Sequence, residues 1–306
     1  MLKMSVTCLG AVLSGCLLSG CGGAPAGAGG TSVVAAFYPF AYVADRVAGA
    51  HASVTNLTST GAEPHDLELA PQQVAELAQA DVVIYEPGFQ PAVDDAVEEN
   101  AEGTVVEVTD VAGAIAPEDE HVADTHGHDH TDLAGDPHLW QNPVKLAAVA
   151  REVAGALARA DRDHAAGYRR NAGRLSRDLR ALDREYARGL ADCERRTVVT
   201  SHAAFGHLAD RYGLQMVPIA GVSPDAEPSP GRLAELQRLV TQRGVTTVFT
   251  ETLASPALAR TLADEVGVRT AVLDPIEGLS DATADEDYFS LMRSNLRALR
   301  RANGCS

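Results

Sequence analysis

The sequence has little of what marks several common protein classes. Beyond its N-terminus, no apolar run reaches the roughly 18–20 residues that a membrane-spanning helix needs. Positive charge is also scarce, because 25 lysines and arginines face 42 acidic residues and the formal net charge is −17. A body this acidic repels phosphate backbones, which argues against nucleic acid as a partner. With 306 residues and 45% hydrophobic content, the chain has enough material for two domains.

The N-terminus has the pattern of an export signal. A single charge at Lys3 precedes an apolar stretch, so residues 1–20 are predicted to be a signal peptide. This stretch ends in Leu-Leu-Ser-Gly-Cys21, which resembles the lipobox of bacterial lipoproteins. Cys16 is a competing match, but it would leave a very short apolar region. Residues 21–32 are rich in Gly and Ala and predict a flexible tether. We therefore expect an extracytoplasmic protein, periplasmic or on the outer face of the cell membrane, with membrane contact through its lipid anchor only.

Two cysteines remain in the mature chain besides the lipidated one, Cys193 and Cys305. An even pair in an exported protein suggests one disulfide. Two free thiols are the alternative, because a sequence does not show the Cα separation that a bridge requires.

After the tether, short apolar runs alternate with amphipathic segments. Strands are predicted at 33–37, 53–57, 82–85, 104–108, 197–201, 214–220, 245–251 and 269–273. Helices of about ten residues between them indicate parallel βαβ units. The predicted fold class is therefore α/β, with lobes at 33–160 and 194–306. Residues 161–193 predict one long helix of about 45 Å that joins the lobes as a rigid strut. A coiled-coil dimer is the alternative use of this helix, and we expect a monomer.

An acidic, histidine-rich segment at residues 118–135 interrupts the alternation. Four of the ten histidines lie there within one decapeptide: His121, His126, His128 and His130. Such a tract binds divalent metals through imidazole, with modest affinity because the loop must be ordered each time. A merely solvated polar loop is the alternative.

Three other histidines and one aspartate are candidate ligands because of where they stand in the sequence. His65, His202 and Asp274 follow predicted strands, and His138 follows the acidic loop. In open α/β sheets, ligands bind beyond the carboxyl ends of the strands. Two facing sheets would point these four side chains at one another. Three imidazoles and a carboxylate form a tetrahedral site that suits Zn²⁺.

Six motifs together resemble the zinc/manganese-type (cluster A-I) solute-binding lipoproteins of bacterial ABC importers. In chain order they are Phe-Tyr-Pro, GAEPHDLE, DPHLWQNP, SHAAFGHL, VFTE and LDP. The resemblance covers nearly all of the mature chain. It implies two α/β lobes joined by a long helix, with His65, His138, His202 and Asp274 as metal ligands. It further implies a receptor that captures Zn²⁺ between the lobes and delivers it to an ABC-type metal permease.

The resemblance does not decide which residue is the fourth ligand. Some zinc members use a water or a carboxylate beside the first histidine, so Glu63 is an alternative fourth ligand. Glu68 and Glu251 are expected to orient imidazole N–H groups. His207 stands where the family commonly has tyrosine, and we expect it to be structural, because a helix would turn it away from His202.

Zinc is favoured over manganese by the donor atoms. Manganese members typically replace the third histidine by glutamate, whereas this chain keeps His202 and adds the histidine-rich segment. A manganese receptor of the same family, or a surface metal-binding adhesin, is the alternative function. A zinc hydrolase is a weaker one, because the chain lacks a His-Glu-x-x-His helix, a Gly-x-Ser-x-Gly elbow and a carboxylate cluster for a second metal.

Overall fold

The computed structural model of the chain describes residues 30–113 and 135–306, and their strands form two four-stranded parallel sheets. The first sheet has the order β2-β1-β3-β4 and contains β1 (Thr31–Ala35), β2 (Ala52–Asn56), β3 (Val82–Tyr85) and β4 (Thr104–Glu107). The second has the order β6-β5-β7-β8 and contains β5 (Thr197–Thr200), β6 (Gln215–Pro218), β7 (Thr247–Thr250) and β8 (Arg269–Val272). The predicted α/β class with two parallel-sheet lobes is confirmed.

Helices connect these strands, and proline opens the first turn of several, where its fixed φ fits the helix. The helices of the first lobe are α1 (Tyr38–Ala48), α2 (Pro71–Gln79), α3 (Pro91–Asn100), α4 (Val108–Gly113) and α5 (Pro143–Ala160). They are followed by α6 (Ala165–Gly189), α7 (Gly206–Tyr212), α8 (Pro230–Gln242), α9 (Ala257–Val266) and α10 (Tyr288–Asn303).

The long helix α6 joins the two lobes. Its 25 residues span about 37 Å, somewhat less than the predicted length. It begins at Ala165 rather than near Asp161, whose carboxylate instead accepts a hydrogen bond from the Tyr168 hydroxyl at 2.7 Å. The apolar stripe of α6 is buried within the same chain, against α1, α5 and α10. The stripe is thus already covered, without the partner helix of the coiled-coil alternative.

One apolar core extends through both lobes. It includes β3, one of the two inner strands of the first sheet, which is buried at all four positions. The core reaches across α5 and α6 to residues of the second lobe such as Phe205 and Phe249. A smaller core lies further out in the second lobe, around Leu236 and Leu262. A shared core of this kind couples the lobes mechanically, because close-packed interiors transmit strain.

A disulfide joins Cys193 to Cys305 in the structure. The two residues also pair as an isolated antiparallel bridge. The bond therefore fastens the C-terminus of the chain just beyond the end of α6.

The segment after β5 differs from the prediction. The sequence pattern predicts a helix that starts at His202, but α7 starts at Gly206. The reason is that the backbone of His202 is already engaged: its carbonyl accepts from the Thr200 hydroxyl at 2.8 Å, and its amide donates to Glu251 at 3.2 Å. His202 therefore lies in a loop between strand and helix.

None of the described helices is long and apolar enough to cross a bilayer. Four predicted features lie outside the described residues: the signal peptide, the lipidation site at Cys21, most of the tether and the four histidines at 121–130.

Candidate metal centre

Three histidines converge where the carboxyl ends of the two sheets face each other. His65 lies in a short 3-10 turn, Pro64–Asp66, that follows β2. His138 immediately precedes a second such turn, Leu139–Gln141, and His202 follows β5. The structure thus brings together all three histidines that the sequence analysis singled out.

The fourth member of the group is Glu277, not Asp274. Nε2 of His138 and Nε2 of His202 lie 3.2 and 3.3 Å from Glu277 Oε1, and Nε2 of His65 lies 3.7 Å from it. We call these four residues the His₃Glu cluster. Its four ligand atoms all lie within 4.8 Å of one another. Ligands at 2.0–2.1 Å from a tetrahedral Zn²⁺ are about 3.3–3.4 Å apart, so the spacing suits this ion.

The cluster is buried and its ligand atoms lack ordinary partners. His138 and His202 are fully buried, and Glu277 is 1% exposed. Among the described residues, all three Nε2 atoms and Glu277 Oε1 make no hydrogen bond of acceptable geometry. Buried polar atoms without partners are costly, and a bound cation would satisfy all four at once.

Two carboxylates hold the rings so that Nε2 faces the cluster. Asp136 lies 2.8 Å from Nδ1 of His138 and accepts the His138 amide at 3.0 Å. Glu251 lies 2.7 Å from Nδ1 of His202. Carboxylates of this kind fix the tautomer and orientation of metal-binding histidines. Glu251 has the contact that the sequence analysis expected, whereas Asp136 was missed although it stands two residues before His138.

Glu63 and Glu68 have other roles in the structure. The Glu63 carboxylate accepts the His65 amide at 3.3 Å and so supports the turn that carries this ligand. Burial and the negative charge of Glu277 raise the pKa of Glu63 to about 7. Glu68, expected beside an imidazole, is exposed. The structure therefore groups neither carboxylate with the three ligand histidines.

Asp274 is committed to its own loop. One carboxylate oxygen accepts the Ile276 amide at 2.7 Å and the other accepts the Thr252 hydroxyl at 3.0 Å. Its backbone is held by Asn295, which donates to the Asp274 carbonyl at 2.6 Å and accepts its amide at 2.9 Å. Both carboxylate oxygens are thus occupied, and the side chain shapes the turn instead of facing the imidazoles.

The turn that carries Glu277 is strained at Ile276. Its φ is 59°, in the left-handed region, and it is the only residue besides glycine with positive φ in the described chain. This conformation costs a β-branched residue about 1–3 kcal/mol and persists only where the surroundings enforce it. Besides Asp274, those surroundings include Trp140 Nε1 and Gln141 Nε2, which donate to the Pro275 carbonyl. The reversal at Ile276 turns Glu277 towards the histidines, which sequence spacing alone did not indicate.

Electrostatics couple the carboxylate to the imidazoles. Burial would raise the pKa of Glu277, but close contacts with the three imidazoles lower it well below its usual range. Burial would lower the pKa of His202, but the contacts with Glu251 and Glu277 raise it to about 10. The same balance, between burial and contacts with Asp136 and Glu277, raises the pKa of His138. Without a metal, the centre therefore favours an ionised Glu277 carboxylate beside the protonated forms of His138 and His202.

His207 lies outside the cluster. Its Nε2 is 3.0 Å from the Asp136 carbonyl and its Nδ1 is 3.2 Å from the Lys145 ammonium. It thus supports, from the second lobe, the segment that leads to His138.

Comparison with known proteins gives three consistent matches. The profile of the family described as zinc-uptake complex component A, periplasmic, matches residues 33–302. The zinc-binding lipoprotein AdcA of Streptococcus pneumoniae is 37% identical over 279 residues, covering 89% of this chain and 56% of that protein. The high-affinity zinc uptake system protein ZnuA of Bacillus subtilis is 33% identical over 274 residues, covering 88% and 86%.

A solved zinc-bound structure has a similar fold. The Zn(II)-bound ZnuA-like domain of Streptococcus pneumoniae AdcA superimposes with a TM-score of 0.73 at 34% identity, covering 90% of this chain and 99% of that one. The chain spans about half the length of the first curated relatives that it matches.

Proposed function

Because the chain belongs to the family of the periplasmic zinc-uptake complex component A, we propose that it is an extracytoplasmic receptor that captures Zn²⁺ between its lobes and delivers it to an ABC-type metal permease. The observation that carries this proposal is the His₃Glu cluster. Its four buried atoms come from both lobes, lie within 4.8 Å of one another and have no hydrogen-bond partner among the described residues.

The donor set favours zinc as the cargo. Three neutral imidazole nitrogens and one carboxylate oxygen form a donor set that suits four-coordinate Zn²⁺, whereas Mn²⁺ prefers a larger shell of oxygen donors. The affinity order of divalent ions adds to this preference, although it places Cu²⁺ above Zn²⁺. We therefore propose Zn²⁺ as the physiological ligand and Mn²⁺ as the weaker alternative.

A fourth ligand from the protein fits a metal-transport receptor better than a zinc enzyme. A catalytic zinc keeps one position open for water, while a closed site has four protein ligands. With Glu277 as the fourth ligand, the site would leave no position open for a hydrolytic water. The curated relatives are named for zinc binding and zinc uptake.

The proposed receptor also has an N-terminal anchor, a histidine-rich segment and two lobes joined by a helix. We propose lipidation at Cys21, a tether at 21–32 and a monomeric receptor with lobes at 33–160 and 194–306 joined by residues 161–193. His121, His126, His128 and His130 would form additional, weaker metal sites. Glu251 and Asp136 would hold the ligand rings in place.

The test is competition binding with a zinc chelator, using the whole mature chain. Alanine at His65, His138 or His202 should each weaken Zn²⁺ binding by well over tenfold, because each removes a ligand and leaves a gap in the shell. His164→Ala, on the surface at the start of α6, is the matched control and should bind as the parent does. Unchanged affinity in two of the three ligand variants would exclude the cluster as the binding site.

A further inference from the structure

Positive charge in this acidic protein is concentrated on two helices. Together, α6 and α10 carry eleven arginines and three acidic residues, a formal charge of +8. The rest of the chain has 14 basic and 39 acidic residues, a formal charge of −25. The fold therefore separates charges that look evenly spread along the sequence.

Five of the seven arginines on α6 form a straight stripe. Its members are Arg170, Arg174, Arg177, Arg184 and Arg188, and all five are exposed. At 100° per residue they fall within an arc of about 80°, on the side opposite the buried stripe, and extend over about 27 Å. We call these five residues the arginine stripe.

Within the described residues, no member of the arginine stripe takes part in an ion pair within 4.0 Å. Arg188 is near enough to lower the pKa of Glu185, but the direct partner of Glu185 is Arg293. The carboxylates on α6 are paired with arginines of other elements: Asp178 with Arg46, Asp183 with Arg211 and Glu185 with Arg293. The positive charge of the stripe is therefore available to an outside partner.

Helix α10 widens this surface. The pair of Arg293 with Glu185 at 2.9 Å places it beside the C-terminal half of α6, and Arg300 lies against Gly189. Arg297, Arg300 and Arg301 are exposed and line a shallow cavity of about 250 Å³. Cys305 also lines this cavity, and its three arginines suit phosphate oxygens, because arginine binds them in bidentate fashion.

The tether enters the fold beside the start of α6. Thr31 pairs with Ala52, and the Tyr168 hydroxyl, in the first turn of α6, donates to the neighbouring His51 carbonyl at 3.3 Å. Nine residues lead from Cys21 to Gly30, so even a fully extended chain covers at most about 32 Å. A lipid on Cys21 would thus hold the arginine stripe close to the membrane.

We propose that the arginine stripe, together with the exposed arginines of α10, docks on the anionic headgroups of the membrane that carries the lipid anchor. The inference rests on the anchor in the proposed function. Because the tether keeps the local headgroup concentration high, a weak contact is sufficient. The rest of the body, at −25, is repelled by the same surface, so this contact sets the orientation of the receptor between capture and delivery of zinc.

Vesicle binding tests the proposal without the lipid. Residues 22–306, which include every described residue, are mixed with vesicles of phosphatidylglycerol and phosphatidylcholine at low salt, and bound protein is measured by sedimentation. We expect binding to these vesicles but not to phosphatidylcholine alone, with loss at high salt. The stripe variant carries Arg174→Gln, Arg177→Gln and Arg184→Gln. Each arginine near such a surface contributes about fivefold, so its partitioning should fall at least about tenfold.

A control variant with the same change in net charge tests whether the position of the arginines matters. It carries Arg238→Gln, Arg243→Gln and Arg260→Gln, three exposed arginines of the second lobe outside the two helices. It should bind vesicles as the parent does, and all three proteins should retain zinc affinity. Equal loss in both variants, undiminished binding of the stripe variant or no binding of the parent would overturn the proposal. So would binding to soluble dextran sulfate without binding to vesicles. Loss of zinc binding in the parent would instead contradict the proposed function.

Discussion

Two carboxylates three residues apart offer a sharp test of the metal centre. Glu277 lies 3.2–3.7 Å from the three ligand nitrogens, whereas Asp274 accepts hydrogen bonds from Ile276 and Thr252. The variants Glu277→Gln and Asp274→Asn each replace a carboxylate by an amide of nearly the same shape. If Glu277 is the ligand, the two substitutions must have very different effects.

The expected magnitudes follow from what each side chain contacts. Glu277→Gln removes the anionic ligand, and the loss should exceed the 10–100-fold (about 1.4–2.7 kcal/mol) that is typical when a residue behind a ligand is changed. Asp274→Asn keeps an oxygen that can accept the Ile276 amide, so its loss should stay within about tenfold. Asp274→Ala leaves that buried amide without a partner, which costs about 1–3 kcal/mol of folding stability and loosens the strained turn.

Chelator competition gives the affinities, and the visible spectrum of the Co²⁺-substituted protein reports the coordination geometry. We expect the tetrahedral Co²⁺ spectrum to survive in Asp274→Asn and to change in Glu277→Gln. The reverse order, with Asp274→Asn the more damaging substitution and a changed spectrum, would refute the assignment of Glu277.

Three further predictions concern protons, the disulfide and motion. Contacts with Glu251 and Glu277 outweigh burial and raise the pKa of His202 to about 10, so zinc must displace its proton at pH 7. Zinc affinity should therefore rise with pH towards 10. Calorimetry in buffers of different ionisation enthalpy should show that zinc binding releases protons. Binding without proton release would contradict this prediction. The same contacts stabilise the metal-free fold fully below about pH 6.5, the ordinary pKa of histidine, and this stabilisation is lost as the pH rises towards 10. Reducing the bond between Cys193 and Cys305, which are 112 residues apart, should lower the free energy of unfolding by about 2–5 kcal/mol, and an unchanged urea midpoint would oppose this. Because α6 and a shared core join the lobes, zinc should change the radius of gyration by no more than a few per cent; solution scattering that reveals a wide closure would count against the strut.

Much of the fold could be predicted from the sequence, because its local signals agree with its tertiary structure. The strand at Val82–Tyr85 matches the prediction at both ends, since an apolar run marks it clearly. The three ligand histidines were also predictable. Two of them follow strands, and parallel strands bring such positions to one edge of the sheet.

The fourth ligand was not predictable from spacing. Asp274 stands nearer the end of β8, but the turn after it depends on Ile276 adopting a positive φ, which sequence patterns assign to glycine or asparagine. That conformation depends on contacts with Trp140 and Gln141, more than 130 residues away. The arginine stripe was missed for a related reason. The net charge of a chain does not show how its charged residues are distributed over the faces of a helix.

In the proposed receptor, three histidines and Glu277 hold one Zn²⁺ between the lobes. X-ray absorption at the zinc edge, on protein purified without added metal, reports these ligands. We predict one zinc per chain with four ligands, three imidazole nitrogens and one oxygen, at about 2.0–2.1 Å and no sulfur. A six-coordinate shell dominated by oxygen, a sulfur ligand or protein without zinc would contradict it.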